Sequence, residues 1–170
     1  MSNTATTETN LSKVTLDSLR FGRNVVTMLL EKTPDELFYK PAFEGANHAA
    51  WVVGHLATTD EFFYKTLAGG EGVLPKEWED LFGMNSVCQA DASKYPSRQE
   101  LESALNERRA KLEAWLGALT DDDLMQPMPT DLEMFAKTVA QLGASLSFHD
   151  GFHAAQISAA RRASGLPPMF

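Results

Sequence analysis

The sequence predicts an all-α protein, a four-helix bundle or a close relative of one. Three observations carry this. Four long stretches repeat apolar residues at helical spacing. Capping and stop signals separate them, including the box Ser97-Arg98-Gln99-Glu100, the pair Gly69-Gly70 and the run Gly165-Leu166-Pro167-Pro168. No segment shows the alternation of a strand.

The first helix reads from Leu11 to Glu31. Leu16, Leu19, Val26 and Leu30 form its apolar stripe, and Phe21, Val25 and Met28 widen it. Thr33-Pro34-Asp35-Glu36 starts a short helical turn. The second helix begins near Asn47 as N-cap, runs to about Leu67 and stops at Gly69. Residues 71–96 form the longest irregular stretch, with a short helix over 76–82 anchored by Trp78 and Leu81. Such a stretch is either a functional lid or a plain crossover connection. Ser97 opens the third helix, which runs to about Leu119 with Leu101, Leu105, Leu112, Trp115 and Leu116 inward. Thr120 caps a short turn, and Pro127 and Pro129 break the chain. The fourth helix reads from Ala136 to Ser164, with Phe148 and Phe152 as packing residues.

The 170 residues suggest one domain over 11–170, behind a polar, Thr-rich tail over 1–10 expected to be disordered. Asp and Glu number 23 against 15 Lys and Arg, a net charge of −8, with no basic stripe for nucleic acid. No apolar run is long enough to span a membrane, and the N-terminus lacks the features of a signal peptide. A cytoplasmic protein is the expectation. The single cysteine, Cys88, reads as a free thiol in a loop.

The stretch His149-Asp150-Gly151-Phe152-His153 is the most informative. Histidines at i and i+4 share one helix face, so their imidazoles can share a metal ion. His55 sits on the core-facing stripe of helix two, with His48, Trp51 and Val52. His55, His149 and His153 are therefore expected to converge on one divalent metal. Other metal sites fit worse. A zinc-protease motif needs Glu where Asp150 stands, a di-iron bundle needs Glu-x-x-His pairs, and a structural zinc site needs more cysteines. An open, mononuclear, histidine-rich site remains.

Neighbouring residues have two readings each. His48 lies two turns from His55, too far to share its ion, and is either a pocket-rim acid/base or a surface or cap residue. Asp150 points about 100° away from His149, and either orients a neighbouring group or faces solvent. Arg108, on the inward stripe of helix three, either snorkels or binds an anion. Gln156, one turn past His153, either hydrogen-bonds that ligand from outside or packs on a neighbouring helix. Trp51 reads as core.

The pattern Asn47…Trp51…Gly54-His55-Leu56 on helix two resembles the DinB-like (DinB/YfiT) superfamily. So does the run His149-Asp150-x-x-His153-x-x-Gln156-Ile157, followed by Arg161-Arg162 and Gly165-Leu166-Pro167, on helix four. The resemblance implies an up-down-down-up bundle with a long connection between helices two and three. It also implies a homodimer, and zinc or nickel on His55, His149 and His153. Characterised branches are metal-dependent thiol S-transferases and a mycothiol-dependent maleylpyruvate isomerase. By resemblance, the expected activity joins a low-molecular-weight thiol co-substrate to a small electrophile. Its rivals are a metal-dependent hydrolase and a non-enzymatic stress-response bundle that binds a ligand or partner.

Overall fold

The computed structural model describes residues 10–169. The expected tail therefore lies outside the described residues, except Asn10. That residue is the N-cap of the first helix, accepting the Lys13 amide at 2.9 Å.

Seven helices occur among the described residues, with no strand beyond an isolated bridge between Pro127 and Thr138. They are α1 (Leu11–Glu31), α2 (Asp35–Phe38), α3 (Ala49–Ala68), α4 (Glu77–Phe82), α5 (Arg98–Ala118), α6 (Asp121–Leu124) and α7 (Val139–Ala163). The four long ones are those the apolar periodicity predicts. Their ends follow local chemistry. Ser97 and Glu100 close the predicted capping box on α5. Gly69 ends α3 in the left-handed conformation at φ 65°, where a Cβ would be strained.

Three boundaries differ from expectation. The N-cap of α3 is His48, not Asn47, because its Nδ1 accepts the Trp51 amide at 3.0 Å. The last helix starts at Val139, not Ala136, because Thr138 caps it and accepts from Gln141. Residues before it turn back on themselves, with Met128 donating to Lys137 and Val139 donating to Gln126.

Helices α1 and α7 make the most extensive pairing. A Cβ on Gly22 would collide with the Ser147 carbonyl, and one on Gly143 with the Thr15 carbonyl. The two backbones therefore touch, in the same direction along both chains. Lower down, Arg161 donates to the Lys32 carbonyl. Phe21 and Met28, expected to widen the buried stripe, face solvent instead at 73% and 44% exposure. Phe148 and Phe152 do likewise at 75% and 57%, because the α1–α7 seam turns these sides of both helices outward.

The core is split in two by a layer of charge. Across its buried face, α1 reads Leu19, Arg23, Val26, and α3 reads Ala57, Asp60, Phe63. Helix α5 reads Leu105, Arg109, Leu112, and α7 reads Leu146, Asp150, Ala154. The outer members of these triplets fall in two separate apolar clusters. The middle members are two arginines and two aspartates, each at most 6% exposed. Arg23 Nη2 donates to Asp60 at 3.0 Å and to Asp150 at 3.1 Å. Arg109 grips Asp60 with Nε and Nη2, both at 2.9 Å, and reaches Asp150 at 3.1 Å. Each arginine also donates to a backbone carbonyl, Leu105 for Arg23 and Leu19 for Arg109. Burial works against the Arg109 charge, yet Asp60 and Asp150 hold its pKa above the usual value. The layer is neutral overall and its donors are matched, as burial of four charges demands.

Candidate metal centre

His149 and His153 flank Asp150 on α7, so the charged layer fixes the turn that carries them. His55 faces them from α3. The structure brings the three together. His149 Nε2 lies 3.2 Å from His55 Nε2 and 3.1 Å from His153 Nε2. All three ligand atoms fall within 4.8 Å of one another, so these residues could hold a metal ion.

Hydrogen bonds at the far side of two rings decide their tautomers. His55 Nδ1 donates to the Phe82 carbonyl at 2.7 Å, and His153 Nδ1 donates to Gln156 Oε1 at 3.0 Å. Both Nε2 atoms are therefore unprotonated and carry a lone pair toward the centre. This outward donation to a carbonyl oxygen is how metal-ligating histidines are oriented. The indole of Trp51 stacks on His55 at 4.7 Å with an interplanar angle of 10°. A zinc ion about 2.0–2.1 Å from each nitrogen at tetrahedral angles separates them by about 3.3 Å. The two distances from His149 suit it.

Burial keeps the cluster neutral. It lowers the His149 pKa to about 3, with His153 and His55 adding to the effect. It lowers His153 to about 4, against the opposing pull of Gln156, and it lowers His55 too. Neutral imidazole is the form that binds metal.

The connection between α3 and α5 supplies a wall of the site. Trp78 and Phe82 of α4 are buried, and Phe82 offers its carbonyl to His55. Gly54 lets the Phe82 ring lie directly against α3, where a Cβ would overlap it. Glu61 secures the start of the connection, accepting the Val73 amide at 2.9 Å and that of Leu74 at 3.2 Å.

A cavity of about 400 Å³ opens beside His55 and His149. Phe62, Phe63, Phe135, Leu142 and Leu146 give it an apolar body, with Met84 and Met134 among its lining residues. The segment after the Pro127 turn contributes Asp131 and Phe135, and α4 contributes Glu79.

The neighbouring candidates resolve as follows. Gln156 bonds to His153 and also accepts from Asn47 Nδ2 at 3.3 Å, linking the α3 start to a candidate ligand. Asp150 faces neither the cluster nor solvent, but the two arginines. His48 is fully buried with both ring nitrogens bonded, Nδ1 as the helix cap and Nε2 to the Gln89 carbonyl at 3.1 Å. It is a cap, away from the cavity rim. Arg108 does not snorkel: it is 6% exposed, lies 3.5 Å from Glu61, and its Nε has no partner among the described residues. Cys88 is partly buried with Tyr95 Oη 3.8 Å from its sulfur. Arg23, Asp60 and Arg109 were not singled out in the sequence, although each interrupts an apolar stripe.

The sequence pattern of the DinB superfamily matches residues 18–157, from α1 through α7 and across all three histidines. The chain belongs to the DinB superfamily. No curated protein matches it. The all-helical fold of this DinB protein agrees with that membership, and no helix among its described residues is long and apolar enough to cross a membrane.

Proposed function

We propose that this DinB protein is a metal-dependent transferase that joins a low-molecular-weight thiol to an electrophile. One observation carries the reading: three imidazole nitrogens converge at the edge of an apolar cavity. His55, His149 and His153 would hold a divalent metal, zinc or nickel, and three imidazoles suit both. When bound, that ion supplies a Lewis acid that lowers the pKa of a coordinated thiol. The protein's own residues do the rest. Phe82 and Gln156 hold two ligands in the binding tautomer. The cavity holds the electrophile in a dry, oriented position beside them. The thiol loses its proton to solvent, and the sulfur electron pair forms a bond to the electrophilic carbon. The leaving group departs with the electrons of the broken bond.

The up-down-down-up bundle belongs to the same proposal. It is supported by the shared direction of α1 and α7 and by cross-helix pairs such as Asp60 with Arg109. A homodimer is also proposed, supported by solvent-facing Val14, Phe21 and Met28 on α1 and Phe148 and Phe152 on α7. Sedimentation at graded concentrations tests it.

Metal-loaded protein incubated with a panel of thiols and model electrophiles should yield the conjugates by mass spectrometry. Turnover that needs no thiol would assign a metal-dependent hydrolase instead. Metal-loaded protein that neither conjugates nor hydrolyses would assign a ligand- or partner-binding bundle.

A further inference from the structure

The cavity beside the histidines has a polarity of its own. Among the described residues its lining contains no Lys and no Arg. Its two charged residues are Glu79 and Asp131, both carboxylates. Its three hydroxyl residues have their protons directed elsewhere. Thr58 and Thr59 donate to the His55 carbonyl at 2.9 and 2.8 Å, and Ser145 donates to the Phe135 carbonyl. What these hydroxyls leave to the cavity is lone pairs. The His55 Nδ1 proton likewise goes to Phe82. The His149 Nε2 proton faces the lone pairs of His55 and His153 at 3.2 and 3.1 Å, and so is also spoken for. The lining is thus apolar surface plus hydrogen-bond acceptors.

An anion brings only acceptors and negative charge, so it would be desolvated with almost nothing to receive it. A ligand with an ammonium, amide or hydroxyl group brings the donor these oxygens lack. The chain's net charge of −8 works in the same direction at longer range. Lys65 and Lys76 border an adjoining hollow that shares Phe62, Thr58 and Glu79 with the cavity, but neither lysine lines the cavity itself.

We propose that the electrophile this cavity accepts has an aromatic or otherwise apolar body and carries a hydrogen-bond donor or a positive charge, and that the cavity's own side chains disfavour an anionic group. This rests on the transferase reading for the word electrophile; the cavity's preference for donors does not. Glu79 and Asp131 are the specificity-determining residues, and Phe62, Phe63 and Phe135 take the ring.

Three naphthalene probes of one shape test it: 2-naphthylmethylamine as the cation, 2-naphthalenemethanol as the neutral donor, and 2-naphthoate as the anion. Binding is measured by fluorescence titration at neutral pH, with metal-free and zinc-loaded protein. The metal-free arm isolates the cavity from any bond between naphthoate and the ion. The amine should bind on the order of 3–10-fold more tightly than the alcohol, with naphthoate weakest. The double variant Glu79→Gln/Asp131→Asn should bring the amine level with the alcohol, while Phe43→Ser, exposed and outside the cavity lining, should change nothing. Both carboxylates are on exposed residues, so the double variant should fold. Naphthoate equal to or tighter than the amine in metal-free protein overturns the proposal. So does a ranking the double variant leaves untouched, or no binding of any probe. A correct ranking in a protein that conjugates no thiol would sink the transferase reading and leave the cavity's preference standing.

Discussion

Asp150 sits next to the metal-ligand candidate His149 in the chain, yet its carboxylate is held by Arg109 at 3.1 Å, across the bundle. Arg23 takes the other side of the same carboxylate. One residue thus ties the histidine-bearing turn of α7 to α1 and α5. Asp150→Ala leaves two buried guanidiniums with one carboxylate between them. Loss of one partner from a buried ion network costs about 3–5 kcal/mol. Urea unfolding should show a loss of unfolding free energy of that size, with Asp150→Asn intermediate because its carbonyl still accepts. A shift below about 1 kcal/mol, the range of a surface ion pair, would show that the layer is not holding the helices.

Gln156 should act on metal affinity more than on stability. It is half-buried, and its bonds are to His153 and Asn47. Removing such an outer partner of a ligating histidine typically costs 10–100-fold in affinity. Competition of Gln156→Ala against a zinc chelator should show that loss, with a thermal midpoint for the metal-free protein close to wild type. Equal affinity would mean that His153 needs no help to present Nε2.

His48 makes the start of α3 sensitive to pH. Its Nδ1 must be unprotonated to accept the Trp51 amide, and burial lowers its pKa below the usual 6.5. The unfolded chain therefore binds more protons than the folded one once pH drops below about 6.5. The stabilisation is complete above that pH and is lost as pH falls toward the folded-state pKa. Asn caps a helix without titrating. In metal-free protein, His48→Asn should flatten part of the stability decline between about pH 6.5 and 5. The remainder belongs to His55, His149 and His153, whose pKa values are lowered in the same sense. Denaturant titrations at several pH values measure both slopes; identical slopes would contradict the capping role.

Gly54 connects packing to the site. A Cβ there would overlap the fully buried Phe82 ring. Overpacking of this kind costs about 1–3 kcal/mol. Gly54→Ala should also weaken metal binding, because displacing Phe82 displaces the carbonyl that fixes the His55 tautomer. Calorimetric unfolding and zinc competition together report both effects. Loss of stability with full zinc affinity would separate the wall from the ligand.

The four long helices and the convergence of His55, His149 and His153 were legible because periodicity and i, i+4 spacing are local properties of the chain. The sequence points to Asn47 as the α3 cap, one residue before the observed His48, because Asn is the commoner capping type and a histidine cap depends on its tautomer. The sequence points to Phe148 and Phe152 as packing residues because hydrophobicity alone does not say which side of a helix a neighbouring helix takes. That side was set by close backbone approach at Gly22 and Gly143. The charged layer was present in the sequence as one charge interrupting each apolar stripe: Arg23, Asp60, Arg109 and Asp150. Its balance appears only when all four helices are placed at one level. The cavity's acceptor character depends on where Thr58, Thr59 and Ser145 send their protons, which no spacing encodes.

The most direct test of the metal centre is elemental analysis of untagged protein, alongside His55→Ala and His149→Ala. The account predicts about one zinc or nickel per wild-type chain, lost in both variants while their helical content by circular dichroism is retained. Folded wild-type protein that takes up no metal on reconstitution with either ion would contradict it, and the three imidazoles would then be structural.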